Sequence, residues 1–520
     1  MAITQRRIIA VAGSKGGVGA SMVVANLGFF LAQIGKRVLL VDCHRDSAGL
    51  HAWLAIQRPE KGLDDLLSGQ CRTASEAAAE TRINGLYLLA SSANPMRATH
   101  WRPEEVATLQ QHLATIEADY IILDLPSGTR PAVLPLLWAA DYPIIVSQAT
   151  GDAIESSYHL MSAAWWHRAQ RALAAIDTDD DTDDDTAGTL REAVMRNTQL
   201  RTPRTTMAHI ASHAESAEWL PKFEAELSAF RPLIIVNQTR IKEDEELAGA
   251  MRSAATRWLG LIPEVLGSIG WDDNVWLALR RSKQLLIDFT NTRASRDLEQ
   301  IVRRLLQLQH REHASLPLPP PLDAQNLYEV LEVYPGASEE EIRRAFKQIR
   351  TWFAPDSIAV QGVCSETERQ HFQQLAEDAH ALLVDRFRRR EYDRTHFPDG
   401  FSALSERPYA AREPIGGAVL AARETLPEVV LRDDQFVDGA FLGRIRKEHN
   451  VELVDISNRA KISVAYLRAI EEERFNDLPA AVFTRGFVHE FARYLKIDPR
   501  RATNDFMAKY ESFMEHRKSK

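Results

Sequence analysis

The stretch RIIAVAGSKGGVGAS, Arg7 to Ser21, runs from an apolar segment into a glycine-rich turn. Short continuous runs of isoleucine, valine and alanine are typical of strands buried on both faces of a sheet. The turn contains Gly16, Gly17 and Gly19, which let the backbone approach an anion closely and direct its N–H groups toward it. The stretch therefore predicts a phosphate-binding loop between a buried strand and a helix.

One part of this loop differs from the usual pattern. The residue before the final serine or threonine is ordinarily a lysine that contacts the outer phosphates of a nucleotide. Here that residue is Ala20, although Ser21 can still offer its hydroxyl to a magnesium ion and Lys15 stands at the start of the loop. The sequence thus predicts the shape of a nucleotide site with one of its cations missing.

Length and composition narrow the class of protein. A chain of 520 residues forms several domains, since a single core rarely exceeds about 250–300 residues. The net charge of −9 argues against a chain that binds polyanions over its whole surface. Cys43, Cys71 and Cys364 are too far apart for a metal or disulfide framework. Because we find neither a signal peptide nor a transmembrane segment, we expect a cytoplasmic protein that reaches a pole or the inner membrane only through partners.

Apolar runs alternate with longer amphipathic stretches over roughly the first 310 residues. The runs are RIIAVAG, RVLLVD, GLYLLAS, DYIILDL, YPIIVSQ, PLIIVNQ and EVLGSIG. Helical segments such as MVVANLGFFLAQIG and RPEEVATLQQHLATIE lie between them. This order predicts an α/β fold, a mostly parallel sheet with helices on both faces.

Shifts in composition divide the chain further. The acidic run DTDDDTDDDT predicts a solvated, disordered insert rather than a cation site, because liganding spacing is absent. The run SLPLPPPL predicts a semi-rigid spacer. We therefore expect an α/β domain followed by two small all-α domains: 1–313 with the acidic insert at about 177–188, a proline-rich linker 314–325, a helical module 326–397, a linker 398–438 and a helix-turn-helix module 439–520.

Five motifs occur in a defined order over about residues 6–308. SKGGVGAS is followed by VLLVDCHRDSAGLHAWLA, DYIILDLPSGT, VNQ and LGSIGWDDNVWLALR. Together these motifs resemble the deviant phosphate loop and later segments of the MinD/ParA ATPases, and within that family the FlhG-type proteins. The resemblance implies a deviant Walker P-loop fold.

In that family two subunits enclose two ATP molecules, so the resemblance implies a homodimer that binds ATP or ADP with Mg²⁺. Lys15 would reach across to the nucleotide of the other subunit, Asp124 takes the Walker-B position, and Asn237 would contact adenine. The implied catalytic residues are Lys15, Asp42 and Asp124, and the implied magnesium ligands are Ser21, Asp42 and Asp124. The implied nucleotide-binding residues are Gly13, Ser14, Lys15, Gly16, Gly17, Val18, Gly19, Ala20, Ser21 and Asn237.

Two departures from the family concern hydrolysis. Ala20 replaces the lysine within the loop, and His44 stands where the family usually has an aspartate two residues after Asp42. The loss of one such charged group costs on the order of 10²–10³ in rate. We therefore expect hydrolysis to be slow or absent, while backbone amides, the helix N-terminus and magnesium still support nucleotide binding.

The middle module begins NLYEVLEVYPGASEEEIRRAFKQIRTWFAPDS, in which Ser338 and Glu341 form a capping box. With the later RRREYD, these motifs resemble a DnaJ-type J-domain over about 70 residues. The His-Pro-Asp loop of that family reads Ala354-Pro355-Asp356 here, so we expect a helical hairpin that docks proteins and not a working co-chaperone. The basic residues predicted for docking are Arg343, Arg344, Lys347 and Arg350.

The last module contains ISNRAKISVAYLRAIEE, which predicts a helix-turn-helix. With LPAAVFTRGFVHEFARYL it resembles the cytoplasmic domain of RodZ, which binds the filament protein MreB. Residues 440–520 carry 16 Lys and Arg against 12 Asp and Glu, a weak electrostatic footprint for DNA. The residues placed for contact with a partner or with DNA are Ser463, Tyr466 and Arg468.

Three functions fit these patterns. The first is a bacterial nucleotide-binding adaptor that dimerises and docks protein partners to position or regulate a cell-surface, motility or cytoskeletal machine. The second is a DNA-binding regulator that combines the helix-turn-helix with a ParA-like dimerisation domain. The third is a genuine but atypical ATPase in which Lys15 does the work of both lysines.

Overall fold

The computed structural model describes residues 6–45, 49–91, 100–176, 202–212, 220–289, 292–308, 324–398, 436–449, 451, 453, 456, 462, 464–475, 478 and 481–518. The chain divides into two compact units, Met1–Gly416 and Gly417–Lys520. The predicted acidic insert and nearly all of both predicted linkers lie outside the described residues. The domain boundaries proposed from composition therefore stay predictions.

The first unit is built on a sheet of eight strands in the order β3-β4-β2-β5-β1-β6-β7-β8. Every described pairing in it is parallel except that of β3 with β4. The strands are β1 (Arg7–Gly13), β2 (Val38–Asp42), β3 (Ala79–Glu80), β4 (Leu86–Leu89), β5 (Tyr120–Leu125), β6 (Tyr142–Gln148), β7 (Leu233–Thr239) and β8 (Glu264–Gly270).

All seven strands predicted from the apolar runs are confirmed, and so is the mostly parallel α/β sheet. The sequence did not indicate β3, whose two residues pair antiparallel with β4 at the sheet edge. A two-residue strand is too short to produce an alternating pattern. Its pairing depends on the chain that surrounds it and not on its own residues.

The helices of the α/β part lie on both sides of the sheet, as predicted. They are α1 (Ala20–Gln33), α2 (Leu50–Trp53), α3 (Leu63–Leu67), α4 (Ala74–Ala77), α5 (Pro103–Thr115), α6 (Leu134–Trp138), α7 (Gly151–Ile176), α8 (Pro203–Ala211), α9 (Leu220–Ser228), α10 (Lys242–Ala254), α11 (Asp273–Arg280), α12 (Leu285–Asp288) and α13 (Arg293–Leu308). Over the part of the chain that is described, no helix combines the length and apolarity needed to cross a membrane.

Alternation along β1 explains why two cores form. Ile9 and Val11 pack into a cluster with α1 and α13, while Ala10 and Ala12 pack into a cluster with α5, α6, α7 and α10. Successive side chains of a strand point to opposite faces, so a strand covered by helices on both sides has no polar face. The continuous apolar run that predicted β1 follows from this double burial.

The J-domain-like module belongs to the same compact unit. Its helices are α14 (Leu327–Val330), α15 (Glu339–Trp352), α16 (Glu366–Val384) and α17 (Arg386–His396). The predicted capping box starts α15, where Ser338 Oγ accepts the Glu341 N–H at 3.3 Å. Tyr328, Phe353 and Phe372 join the core cluster that also contains one face of the sheet. The module is thus packed on the α/β part, a contact that the sequence did not indicate.

An ion-pair cluster fixes this packing. Glu332 of the module, at a left-handed φ of 53°, contacts Arg252 at 2.7 Å and Arg257 at 2.9 Å. Burial raises the pKa of Glu332, but the charges of both arginines and the Ser253 hydroxyl outweigh burial and lower that pKa to about 2. Arg257 also donates to the Val330 carbonyl at 3.0 Å and lies over the Phe372 ring at 4.2 Å.

The second unit is helical in its described part. Its helices are α18 (Gly439–Glu448), α19 (Val464–Glu471), α20 (Ala481–Tyr494) and α21 (Pro499–Lys518). They share a core to which Phe441, Leu442, Leu467 and Phe491 contribute. Such a core, small and complete in itself, is typical of a helix-turn-helix domain.

We predict that Glu332→Gln lowers the free energy of unfolding by about 3 kcal/mol at pH 7, because the buried guanidinium group of Arg257 and the half-buried one of Arg252 lose their counter-ion. Since the pKa of Glu332 is about 2 in the folded chain and 4.5 ordinarily, its stabilisation is present above pH 4.5 and is lost as pH falls toward 2. Urea unfolding of both proteins between pH 3 and 7 should show the difference shrinking below pH 4.5. Glu340→Gln, which removes an exposed pair with Arg344, is the control and should change little.

Candidate nucleotide site

The glycine-rich loop occupies the carboxyl edge of the sheet between β1 and α1. The Ser14 N–H donates to the Val146 carbonyl of β6 at 2.9 Å, which fixes the start of the loop. At its end, Gly19 adopts φ 92°, and α1 begins one residue later. The free N–H groups of that helix start therefore face the space where the predicted phosphates would lie.

The structure confirms that the loop carries no lysine where α1 begins, since that position is the buried Ala20. Lys15 supplies the loop's cation, and its ammonium group pairs with the carboxylate of Asp152 in the first turn of α7. The hydrogen bond from Lys15 lowers the pKa of Asp152 to about 2. Lys15 thus contacts its own chain here, and its predicted reach to a second subunit stays a prediction.

Two aspartates meet across neighbouring strands. Asp42 ends β2 and stands in register with Asp124 of β5. Asp124 is fully buried, and neither of its carboxylate oxygens forms a hydrogen bond with any described residue. The imidazole of His44 lies beside this carboxylate, with its Nε2 3.5 Å from Asp124 Oδ1. A buried carboxylate without hydrogen bonds is costly, which indicates that a ligand completes it.

Asp42 is held differently. Its Oδ1 accepts the His44 N–H at 3.0 Å, and its Oδ2 accepts the N–H groups of Gly49 and Leu50, both at 3.2 Å. Burial and the neighbouring Asp124 charge nevertheless raise the pKa of Asp42 to about 6. The Asp124 charge therefore disfavours ionisation of Asp42, and a cation between the two side chains would offset that effect.

The residues present fit a magnesium ion. Mg²⁺ is usually held by one or two carboxylates, with phosphate and water oxygens completing an octahedron. Asp42 and Asp124 supply the carboxylates, and the half-buried Ser21 starts the adjacent helix. No group of three or more metal-binding His, Cys, Asp or Glu side chains exists in the described parts of the chain, as expected for a site that depends on phosphate oxygens.

Asn237, predicted to contact adenine, is buried at the end of β7 and holds the loop in this structure. Its Nδ2 donates to the Val18 carbonyl at 2.8 Å. Gln238 follows with a left-handed φ of 60° and links the Gly17 carbonyl, at 3.4 Å, to the side chain of Gln148. A contact of Asn237 with adenine stays a prediction.

Sequence reasoning missed the residues that support the loop from behind. Asp152 holds Lys15, and Gln148 with Gln238 ties the loop to the ends of β6 and β7. Gln148 and Gln238 end predicted strands and Asp152 follows one, which was the available signal. The contacts that they make, however, join residues 90, 137 and 221 positions apart, so the pairing is visible only in three dimensions.

The predicted docking residues Arg343, Arg344, Lys347 and Arg350 lie exposed on α15. Arg343 and Arg344 form pairs with Glu339 and Glu340 one turn earlier, at 2.8 and 3.4 Å. The structure thus leaves this basic face open to solvent within its own unit. Its use as a docking surface stays a prediction.

In the second unit, Arg468 is exposed on α19, and Tyr466 is half-buried against Phe487 with ring centroids 5.5 Å apart. Ser463, the third predicted contact residue, lies outside the described residues. The Tyr466 ring therefore has a packing role in addition to its predicted contact role.

Glu471 ends α19 and is followed by Glu472 and Glu473, a run of negative charge that would repel DNA, but each of the three has a cationic partner in the structure. Glu471 pairs with the largely buried Arg446 at 2.6 Å. The neighbouring glutamates pair with Arg474 and Lys509. The negative charge at this helix end is therefore compensated more fully than the sequence indicates.

Comparison with known families agrees with this architecture. Residues 6–164 match an AAA domain, residues 326–393 a DnaJ domain and residues 441–502 a helix-turn-helix domain. Each of the three predicted modules thus contains a segment that matches a family of the predicted kind.

The segment that matches the AAA domain is similar to curated MinD, FleN and Soj proteins. The septum site-determining protein MinD of Bacillus subtilis is 31% identical over 150 residues, 29% of this chain and 56% of MinD. The antiactivator FleN of Pseudomonas aeruginosa is 27% identical over 30% of this chain and 55% of FleN. The chromosome-partitioning ATPase Soj of Thermus thermophilus is 33% identical over 30% of this chain and 60% of Soj. The chain therefore spans somewhat more than half the length of these relatives.

Solved structures include MinD of Pyrococcus horikoshii complexed with Mg-ADP, which is 16% identical. The likeness covers 59% of this chain and 98% of that chain, with a TM-score of 0.39. The fold class stated above rests on the strand order and the phosphate loop of this chain.

We predict that Gly19→Ala disrupts the loop. A methyl group at Gly19 would lie 2.3 Å from Asn237 Nδ2 and would require an unfavourable φ of 92°, so we expect a loss of about 1–3 kcal/mol in stability together with weaker binding of Mg·ATP. Gly16→Ala is the matched control, since a methyl group there meets no atom within 4 Å. Thermal unfolding and calorimetry would measure both, and equal effects of the two substitutions would contradict the assignment.

Proposed function

We propose that this protein is a bacterial cytoplasmic nucleotide-binding adaptor with weak or no ATPase activity. In this proposal it dimerises and docks protein partners to position or regulate a cell-surface, motility or cytoskeletal machine. The observation that carries the proposal is a complete anion-binding loop beside two buried aspartates, with Ala20 in place of the loop lysine.

Nucleotide binding is supported by the unsatisfied groups around the loop. Both oxygens of Asp124 and the hydroxyl of the buried Ser14 form no hydrogen bond with described residues. Bound with a nucleotide, Mg²⁺ would neutralise phosphate charge, and Ser21, Asp42 and Asp124 are the residues that would hold it. The relative MinD of Pyrococcus horikoshii is described as complexed with Mg-ADP.

Weak hydrolysis is supported by the charges around the same loop. Lys15 is neutralised by Asp152, and α1 begins with an alanine where a lysine would stabilise the transferring phosphoryl group. His44 occupies the position of the family's second aspartate, and its Nε2 lies 3.5 Å from Asp124 Oδ1. The imidazole offers no carboxylate that could orient an attacking water. Binding needs only the amides and magnesium, whereas turnover needs these further charges.

The adaptor role is supported by the module that follows. Its loop contains Ala354 in place of the J-domain histidine, while the basic face of α15 is exposed. The names of the relatives, septum site-determining MinD and antiactivator FleN, describe proteins that place or restrain other machinery. By analogy this chain would serve a similar purpose through its helical modules.

DNA binding by the second unit is the second candidate function. It is favoured by the helix-turn-helix match over residues 441–502 and by the exposed Arg468 on α19. The compensation of Glu471 by Arg446 removes part of the repulsion expected between this helix and a phosphate backbone. The relative Soj is described as a chromosome-partitioning ATPase.

We predict that calorimetry of the full chain detects micromolar binding of ATP with Mg²⁺ and that turnover stays at background. Lys15→Ala should weaken binding about tenfold, since one charge-assisted contact is worth roughly 1.5 kcal/mol. Ala20→Lys should tighten binding, because it restores the missing cation.

Two results would change this proposal. Absence of binding, with binding restored in Ala20→Lys, would show that the loop is only structural. Magnesium-dependent turnover abolished by Lys15→Ala would instead show a genuine, atypical ATPase.

We predict that Arg468→Ala leaves nucleotide binding unchanged and separates the two candidate functions. If the second unit reads DNA, the full chain should shift a duplex at low salt and the substitution should weaken binding by about 1–3 kcal/mol. If the unit docks a protein, no duplex should bind in 50 mM salt or below. A gel-shift titration of salt concentration measures both.

A further inference from the structure

Helix α7 begins at the phosphate loop. Asp152, in its first turn, holds the ammonium group of Lys15. The loop reaches the same strand–helix junction by a second route, since Gln238 links the Gly17 carbonyl to Gln148 at the end of β6. Two separate contacts therefore connect the phosphate loop to the junction between β6 and α7.

The J-domain-like module contacts the first two turns of α7, from Gly151 to Tyr158. The Tyr158 hydroxyl, fully buried, donates to the Ala359 carbonyl of the module at 2.6 Å. Gln361 lies over Gly151, where a Cβ atom would be only 1.8 Å from its Oε1. Here the turn between α15 and α16 packs directly on the helix that holds Lys15.

The fit at this contact leaves no space for adjustment. Gly362 adopts a left-handed φ of 73°, and a Cβ atom there would lie 2.4 Å from Glu155 Cγ. Glu155 is one turn from Asp152, so the two carboxylates share a face of the helix. The turn of the module, residues 358–362, thus contacts Gly151 and Glu155, which lie one residue before and one turn after the carboxylate that pairs with the loop lysine.

This turn follows directly on Ala354-Pro355-Asp356, the segment that corresponds to the J-domain signature loop. In this chain the flanking residues are engaged by α7, with Phe353 also packed edge-on against Trp258 at 5.3 Å. The module therefore uses the neighbourhood of its signature loop to contact its own α/β domain.

We propose that docking of the J-domain-like module on α7 depends on whether the phosphate loop is occupied. This proposal rests on the nucleotide site proposed above. While Lys15 pairs with Asp152, the turn at 358–362 is docked on α7. When a phosphate group draws Lys15 away, the turn is released and the module becomes available to a protein partner.

The charges explain the direction of this change. With Lys15 in place, Asp152 is neutralised and only Glu155 faces the turn as a free carboxylate of that helix face. Removal of Lys15 leaves two like charges three residues apart, which destabilise a helix turn by a few tenths of a kcal/mol to about 0.5 kcal/mol. The packed, left-handed turn of Gly362 allows little rearrangement other than release.

Hydrogen–deuterium exchange of the full chain, followed by mass spectrometry over residues 355–365, tests the proposal. Lys15→Ala should raise the exchange rate of this segment about two- to fivefold without nucleotide, because it leaves Asp152 and Glu155 as two unpaired like charges on one helix face. Asp152→Asn also removes the ion pair but leaves no second charge, so it should keep exchange near that of the unmodified chain. Glu226→Gln, which removes a partner of Arg168 farther along α7, is the control and should leave the segment unchanged.

Mg²⁺ with a non-hydrolysable ATP analogue should raise exchange of the same segment in the unmodified chain and add little in Asp152→Asn. If the analogue fails to bind by calorimetry, the proposed function is wrong, while the two variants still test the coupling. If exchange at 355–365 is unchanged in Lys15→Ala, or rises equally in Asp152→Asn, the coupling is wrong whatever the nucleotide result.

Discussion

The parallel register of β5 between β1 and β2 is the constraint on which the rest of the first unit depends. It sets Asp124 opposite Val11 of β1 and Asp42 of β2, so that the loop after β1 and both carboxylates meet at one edge of the sheet. A shift of one residue would turn Asp124 to the opposite face. The apolar runs specify this register because each strand must bury side chains on both faces.

The negative charges at this edge of the sheet determine which kind of ligand the site can bind. Asp42, Asp124 and Asp152 face a loop whose cation is Lys15, and burial together with Asp124 raises the pKa of Asp42 to about 6. A bare nucleotide would add negative charge to this arrangement. A bound magnesium ion would offset this negative charge, since it attracts both the carboxylates and the phosphate groups. Loss of the loop lysine therefore makes the proposed binding depend more strongly on the metal than in a loop with two cations.

The sequence predicted the strands, the loop and the identity of its residues, because each leaves a local signal of periodicity, glycine placement or motif. It could not predict β3, which is too short for a pattern, or the support of the loop by Asp152 and Gln238. The proline-rich segment also predicted that a spacer separates the J-domain-like module from the α/β domain. The packing of Glu332 between Arg252 and Arg257 joins residues about 80 positions apart, a pairing that no local pattern contains.

That packing changes what the missing histidine means. In a module free in solution, Ala354 would be only the loss of a chaperone contact. Here the residues around it, Phe353 and Ala359, are buried against Trp258 and Tyr158 of the α/β domain. A surface that is buried in its own chain is open to a partner only when the internal contact is released. The altered loop is consistent with a module whose first partner is the domain that precedes it.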